Sequence, residues 1–422
     1  MELEQRVAPD PHPWRAALLL GLVTIVLGTL YPMVVVPAVK GAYRWWVVDE
    51  VWPPFMAARF AGNGALGYLY SADPLFVAGP IGAIVLIPVV MLGDALGLTD
   101  SYRYSVAHPS VWLLYGPYAL GFSVVLLYAV RALADRAWGM AGMAARGLQP
   151  RHLWTQVAMV CLVLTPAAVL FGHYEDVLAL AFVLLGIRAT LGGRFTAAAL
   201  WFAVAIGTKQ WALLGVPILL AAAPARSRLR TLVMSLLLPG ALMGFTLAVD
   251  WSHASRALLH ARSFPALGHA ALWMHHVALH TSVESPGRWG AVAMAAALGW
   301  WLRGRGRPEL LLAGFAVVFL ARLVFEPVIF AYYLVPSLAL FFLHERLTGR
   351  SGLRTAVGGL AILLWFPFHP NPWLWWSATV AGMAWITAPA VIDLFRREVP
   401  DEPPVDGPIE PPTVADLSSV RV

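Results

Sequence analysis

The residues of this sequence that could carry chemistry are charged side chains placed between long apolar segments. Carboxylates can act as general bases, and lysine or arginine can bind an anionic group. If the apolar segments span a membrane, such charges are costly there and usually face a cavity or a partner. They form five groups: Asp49 and Glu50; His173, Tyr174, Glu175 and Asp176; Lys209, Gln210 and Trp211; Arg322, Glu326, Tyr332 and Tyr333; and Arg256 and Arg262 with His253, His260, His269, His275, His276 and His280.

Each group also has an ordinary structural interpretation. Asp49 and Glu50 fit solvated loop acids, and residues 173–176 fit a polar turn that caps the following helix. Lys209 could extend towards lipid headgroups. The histidines have no spacing typical of a metal-ligand set, which favours a surface loop. The combination of several acids with two permanent cations, Lys209 and Arg322, favours a binding or catalytic site.

The composition identifies the class of protein that must position these residues. The 422 residues are 59% apolar and 12% charged, with 19 tryptophans, whereas soluble domains have about 25% charged residues. This apolar composition excludes a water-soluble enzyme and a disordered chain. It also excludes a nucleic-acid-binding domain, because the arginines are spread between apolar segments rather than gathered in one patch. Cys161 is the only cysteine, so no intrachain disulfide can form.

Thirteen apolar segments are candidate membrane helices. They are residues 16–36, 77–97, 111–130, 153–171, 177–193, 195–208, 210–223, 232–249, 288–302, 309–323, 328–343, 355–368 and 373–395. The first is 21 residues long and lacks a small-residue cleavage site, so we interpret it as a retained helix rather than a signal peptide.

Basic residues select twelve of these segments as spans. Cytoplasmic loops are rich in arginine and lysine, and 20 of the 29 basic residues lie on one side only if 77–97 does not span. This segment contains Gly79, Pro80, Pro88 and Gly93, which favours an interfacial or re-entrant element. The alternative is that 77–97 does span and that 195–208 and 210–223 form one helix.

The predicted fold is therefore an all-α polytopic membrane protein, multi-pass in the plasma membrane, with both termini cytoplasmic. Residues 1–397 form a single transmembrane domain, in which 37–110 and 250–287 are large extracytoplasmic loops. The proline-rich and acidic residues 398–422 are predicted to be a disordered cytoplasmic tail. No nucleotide-binding motif is present in the sequence.

Four features resemble the GT-C superfamily of membrane glycosyltransferases, and most closely its family 87, the polyprenyl-phosphate-mannose-dependent mannosyltransferases of actinobacteria. Asp49 follows the first span at the head of a long outer loop. This loop continues through Ala57-Ala58-Arg59, Gly67-Tyr68-Leu69-Tyr70 and Asp73-Pro74 to a proline-containing helix. Phe171-Gly172-His173-Tyr174-Glu175-Asp176-Val177 resembles the family's G-H-x-[DE]-D turn. Gly207-Thr208-Lys209-Gln210-Trp211 through Pro217 resembles its TK…P segment.

The resemblance implies a GT-C-like bundle of about twelve transmembrane helices whose first outer loop contains juxtamembrane helices. It also implies inverting transfer of a sugar, mannose above others, from a polyprenyl-phosphate donor to a lipid-anchored or cell-wall glycan acceptor at the extracytoplasmic face. We expect Asp49 to be the general base, with Glu50 in reserve, and Lys209 and Arg322 to bind the donor phosphate. The expected sugar- or acceptor-binding residues are His173, Tyr174, Glu175, Asp176, Gln210, Trp211, Glu326, Tyr332 and Tyr333.

Several alternatives stay open at the level of sequence. Arabinose on the same carrier is an alternative to mannose. No metal ligand and no cofactor are assigned, although a divalent cation such as Mg²⁺ or Mn²⁺ could bridge an acid and the phosphate. A lipid or small-solute transporter, or flippase, is the second functional class, because polar residues at interrupted helices also mark transport sites. An accessory protein without catalysis is the third.

Overall fold

The described residues of this chain are mostly helical, with no strand among them. The computed structural model describes residues 13–40, 51–73, 76–99, 109–140, 154, 157–158, 168–169, 172–259, 286–305, 307–325, 331–365 and 372–396. Their apolar side chains extend over full helical turns, as in helices surrounded by lipid or by other helices.

Fourteen α-helices are present in these ranges, together with short 3₁₀ turns. The α-helices are α1 (Pro13–Lys40), α2 (Trp52–Gly62), α3 (Pro80–Ala95), α4 (Pro109–Met140), α5 (Tyr174–Leu191), α6 (Phe195–Thr208), α7 (Val216–Ala222), α8 (Arg228–Val249), α9 (Trp251–Leu259), α10 (Pro286–Trp301), α11 (Pro308–Phe325), α12 (Val335–Leu347), α13 (Leu353–Trp365) and α14 (Pro372–Phe395). The 3₁₀ turns are Leu66–Tyr68, Gln210–Gly215, Ala225–Ser227 and Ala331–Leu334.

Among the described residues, three stretches of helix are long and apolar enough to cross a membrane: Ser110–Met140, Ala225–Val249 and Ala378–Phe395. Shorter apolar helices accompany them, among them Ala17–Leu30 and Phe195–Thr208. Many large apolar side chains of α1 and α8 are exposed, as expected of surfaces that face lipid. The helical membrane character predicted from composition is supported by these elements.

The helices pack in two neighbouring groups. Helix α4 lies between α1 and α5, while α6 contacts both α5 and α8. Helices α10, α11, α12 and α14 form the second group. Within the first, the indole of Trp112 donates to the backbone oxygen of Thr29 at 3.1 Å. Polar anchors of this kind fix the register of helices whose other contacts are apolar.

The segment 77–97 forms one continuous helix, α3, although the sequence favours an interrupted one. Pro80 lies in its first turn, where a missing N–H costs nothing, and Pro88 lies inside the helix without ending it. The hydroxyl of Tyr118 donates to Val85 at 2.5 Å, close to the carbonyl that Pro88 leaves without its helical donor. The expected interruption inside the segment is therefore wrong, while an interfacial or re-entrant position for α3 stays a prediction.

The alternative in which residues 195–223 form a single helix is also wrong. Helix α6 ends at Thr208, and Lys209 has an extended backbone with φ −148° and ψ 124°. A 3₁₀ turn over Gln210–Gly215 then leads into α7. The two segments are separate elements joined at Lys209, which places this charged residue at a helix junction.

A buried ionic cluster lies where α11, α12 and α14 meet. The ring of His344 is fully buried and contacts the backbone oxygen of Glu309 at 3.0 Å and the Asp393 carboxylate at 3.1 Å. The guanidinium of Arg350 binds the same carboxylate through two contacts of 2.6 and 2.9 Å. Because it joins three helices through a satisfied network, we interpret this cluster as structural.

The loop between α1 and α4 is stabilised by a partly exposed ion pair between α2 and α3. The guanidinium of Arg59 donates two hydrogen bonds to Asp94, one of them at 2.8 Å, and Thr99 donates a third. Partial burial acts to raise the pKa of Asp94, but the hydrogen bonds from Arg59 and Thr99 and the guanidinium charge outweigh it and lower the pKa. Nearby, α9 packs on this loop through a small apolar core: Ala57, Leu69, Tyr70, Phe76, Ala78, Ala83, Ala254 and Ala257.

We expect Asp94→Asn to loosen α3 by about 1 kcal/mol, because hydrogen bonds to a charged acceptor are lost at a partly exposed site. Hydrogen exchange of residues 80–95 measures this. In the wild type, the stabilisation from the charged Asp94 carboxylate is complete above its unfolded-state pKa of about 3.9. This stabilisation is lost as the pH falls through the lower pKa of Asp94 in the folded state. Asp135→Asn is the control, because Asp135 pairs with Arg131 on α4 alone. Unchanged exchange of α3 in Asp94→Asn would contradict the assigned contact.

Candidate functional site

The first part of the candidate site is the turn that leads into α5. Gly172 has a φ of +79°, in the left-handed region that glycine adopts without steric cost. Its N–H donates to Val169 at 3.0 Å, and that of His173 donates to Ala168 at 2.8 Å. This turn places the two acids Glu175 and Asp176 in the first turn of α5, where the helix dipole favours negative charge.

The second part is Lys209, at the junction after α6. Because α5 and α6 form an antiparallel pair, the end of α6 returns to the beginning of α5. The Lys209 ammonium lies 2.6 Å from Oε1 of Glu175 and 3.6 Å from Oδ2 of Asp176. The extended backbone at Lys209 directs its side chain to the acids instead of continuing the helix.

Trp211 and His173 complete the contacts around the two acids. The Trp211 indole N–H donates to Oδ1 of Asp176 at 2.6 Å. Nδ1 of His173 lies 3.2 Å from Oε1 of Glu175 and 3.9 Å from Oδ2 of Asp176. We name the set His173, Glu175, Asp176, Lys209 and Trp211 the acid–lysine cluster.

The acid–lysine cluster is buried and incompletely hydrogen-bonded. Glu175, Asp176 and Lys209 are only 4%, 9% and 5% exposed. Oε2 of Glu175 and Oδ2 of Asp176 accept no hydrogen bond from the described part of the chain. Unpaired buried acceptors are costly and are found preferentially at functional sites. The cluster is therefore the strongest candidate for a functional site among the described residues.

A second cation and two aromatic rings lie next to the cluster. The Arg322 guanidinium lies 4.2 Å from the centre of the Tyr333 ring and 6.0 Å from that of Trp211. Trp211 in turn packs edge-on against Phe319, with ring centres 5.1 Å apart. Trp211 thus connects the acids with the arginine, because its N–H contacts Asp176 and its ring lies near Arg322.

Helix α3 packs directly behind this site. The hydroxyl of Tyr174 donates to the backbone oxygen of Gly82 at 2.5 Å, and the N–H of Gly79 donates to Thr208 at 3.0 Å. A Cβ at Gly79 would lie 2.1 Å from the backbone oxygen of Gly207. Only a residue without a side chain allows this approach, so the beginning of α3 is fixed against the ends of α5 and α6.

The structure brings together seven residues that the sequence singled out: His173, Glu175, Asp176, Lys209, Trp211, Arg322 and Tyr333. Tyr174 is fully buried and its hydroxyl donates to Gly82 of α3, so it positions this helix, and its expected contact with substrate stays a prediction. Gln210 begins the 3₁₀ turn and is partly exposed. Asp49, Glu50, Glu326 and the side chain of Tyr332 lie outside the described residues.

The polar loop after α8 is described only in its first part. His253 contacts the Asp250 carboxylate at 2.9 Å, which begins the short helix α9. The other five histidines lie outside the described residues. Sequence reasoning did not assign two residues to the site: Gly79, which permits the close approach of α3, and Phe319, which packs against Trp211. For Gly79 the Gly-Pro pair at the start of a helix was an available signal, whereas Phe319 lies in a uniformly apolar segment.

Comparisons of the chain with protein-family models, with curated proteins and with solved structures yielded no match. The resemblance to the GT-C superfamily therefore stays a prediction from the sequence.

We expect Trp211→Phe to lower the free energy of unfolding by about 1–3 kcal/mol, because Oδ1 of Asp176 would lose its donor in a buried site. Thermal unfolding of the purified protein measures this. Trp201→Phe is the matched control, since Trp201 lies on α6, is 37% exposed and stacks on Phe182 through a ring that phenylalanine retains. Equal losses in the two variants would contradict the role of the indole N–H.

Proposed function

We propose that the chain is an integral membrane glycosyltransferase. It would transfer a sugar, with mannose as the first choice, from a polyprenyl-phosphate donor to a hydroxyl of a lipid-anchored or cell-wall glycan at the extracytoplasmic face. The observation that carries the proposal is the acid–lysine cluster beside Arg322 and two aromatic rings, at one end of apolar helices. Ionisable residues in such a setting favour a functional site, and the GT-C resemblance supplies the reaction class.

The proposal includes twelve spans with both termini in the cytoplasm. Arginines at the proposed cytoplasmic ends support it, because they bind carbonyls of neighbouring helix ends. Arg136 of α4 donates to Leu191 of α5 at 3.0 Å, and Arg305 after α10 donates to Leu394 of α14 at 3.1 Å. Helix ends that the charge pattern assigns to one side are thus adjacent, and we assign the acid–lysine cluster to the opposite side, proposed to be extracytoplasmic.

The proposed reaction is a direct displacement with inversion at the anomeric carbon. A carboxylate takes the proton of the acceptor hydroxyl while the acceptor oxygen forms a bond to C1 and the bond from C1 to the phosphate oxygen breaks. The electron pair leaves with polyprenyl phosphate. We assign the base to Asp49, with Glu50 in reserve, because both belong to the outer loop that the resemblance implicates. The protein must chiefly orient the reactants and stabilise the leaving phosphate.

The two cations of the site have different surroundings. The contacts of Lys209 with Glu175 and Asp176 offset part of its charge. Arg322 lies against the ring of Tyr333, and its planar group can bind a phosphate through two hydrogen bonds. We propose that both cations bind the donor phosphate, Arg322 through its guanidinium and Lys209 through its positive potential. The rings of Trp211 and Tyr333 are suited to stack on a sugar.

A divalent cation does not fit the described acids in this arrangement. His173, Glu175 and Asp176 have ligand atoms within 4.8 Å of one another, as a metal site requires. The Lys209 ammonium, however, already contacts both carboxylates. A dication at the same position would be strongly repelled by it. No step of the proposed reaction passes through a metal.

Transfer of label from radiolabelled polyprenyl-phosphate-mannose into a glycolipid extract tests the proposal. We expect purified wild type to transfer label and Asp49→Asn to be about 10²–10⁴ times slower, since a general base contributes that much. Glu50→Gln is the neighbouring control and should stay close to wild type. If Glu50→Gln loses activity and Asp49→Asn keeps it, Glu50 is the general base and Asp49 is not. Absence of transfer by wild type from both mannose and arabinose donors would contradict the proposed function.

A further inference from the structure

We propose that Lys209 is a built-in replacement for a divalent cation, so that the acid–lysine cluster is a latent metal site that the chain fills with its own ammonium group. Three potential ligands, Nδ1 of His173 and one carboxylate oxygen each of Glu175 and Asp176, lie within 4.8 Å of one another. A nitrogen and two carboxylates of this spacing match the ligands of Mn²⁺ or Zn²⁺.

The position of the Lys209 ammonium is the first argument. It is 2.6 Å from one carboxylate and 3.6 Å from the other, so a positive charge of the protein already lies beside both acids. Its side chain is almost fully buried, and it reaches the acids from a different helix. An ion and the ammonium therefore exclude each other by charge.

The charge and the unpaired acceptors are the second argument. Glu175 and Asp176 carry two negative charges when ionised, and Lys209 carries one positive charge. Oε2 of Glu175 and Oδ2 of Asp176 are buried and lack a hydrogen-bond donor among the described residues. An ammonium has only three N–H donors and one charge, whereas a divalent cation would neutralise both acids. Removal of Lys209 should therefore leave a site with the charge and the ligands to bind a dication.

Lys209→Met is the direct test, because methionine keeps an unbranched stem and removes the charge. Full-length protein in detergent is stripped with EDTA and titrated with Mn²⁺, and bound Mn²⁺ is counted by electron paramagnetic resonance while thermal unfolding is followed by tryptophan fluorescence. We expect no Mn²⁺-dependent change in the wild type. We expect Lys209→Met to be destabilised in EDTA, to bind one Mn²⁺ per chain and to regain thermal stability with it.

The matched control is Lys209→Met combined with Asp176→Asn, which removes one ligand. Its Mn²⁺ affinity should fall by at least about tenfold, which separates this site from binding to other histidines. Lys209→Gln provides a second variant that retains a donor to Glu175 and should behave as Lys209→Met does.

Three results would overturn the proposal. The first is Mn²⁺ binding by wild type that Asp176→Asn abolishes, because the ammonium would then not exclude the ion. The second is failure of both folded Lys209 variants to bind Mn²⁺. The third is that both variants stay unfolded when Mn²⁺ is present throughout purification, since a dication should take the place of the ammonium. The readouts are ion binding and stability, so their outcome is independent of whether the chain transfers a sugar.

Discussion

The structure around the site depends on the burial of two carboxylates with one lysine. Charges removed from water are stable only when they are paired, so Glu175, Asp176 and Lys209 must stay together. This requirement fixes the beginning of α5 against the end of α6 and explains why α6 ends at Thr208 with an extended residue after it. It also fixes Trp211, whose N–H satisfies one oxygen of Asp176.

The constraint extends to the loop between α1 and α4 through hydrogen bonds at the beginning of α3. Gly79 binds the carbonyl of Thr208, one residue before the lysine, and Tyr174, one residue before Glu175, binds Gly82. The beginning of α3 is thus positioned by residues next in the chain to Glu175 and Lys209, and the side chains of its first turn are apolar. In the proposed transferase this arrangement would connect the outer loop, which carries the assigned base, with the cations assigned to the phosphate.

The sequence predicted the helical membrane class, the apolar segment that contains α3 and the break between α6 and α7 at Lys209. Each of these depends on local composition or on a helix-breaking pattern. The proximity of residues 173–176 to Lys209 also followed, since a helical hairpin returns the chain to its starting level. The ion pair of Lys209 with Glu175 and Asp176 could not be predicted from the sequence. A lysine that extends to lipid headgroups would occur in the same sequence context. The contact of His344 with Asp393 was missed for a related reason: no local pattern joins residues on helices that are distant in the chain.

A double-mutant cycle between Lys209 and Glu175 measures whether these two buried residues stabilise each other. The free energy of unfolding is measured in mixed micelles for wild type, Lys209→Met, Glu175→Gln and the double variant. We expect a loss of about 3–5 kcal/mol in Lys209→Met, which leaves two buried acids without their cation, and a smaller loss in Glu175→Gln, because Asp176 still lies 3.6 Å from the ammonium. The loss in the double variant should be well below the sum of the two. Losses that add to within about 0.5 kcal/mol would show that the two residues do not interact and would contradict the account.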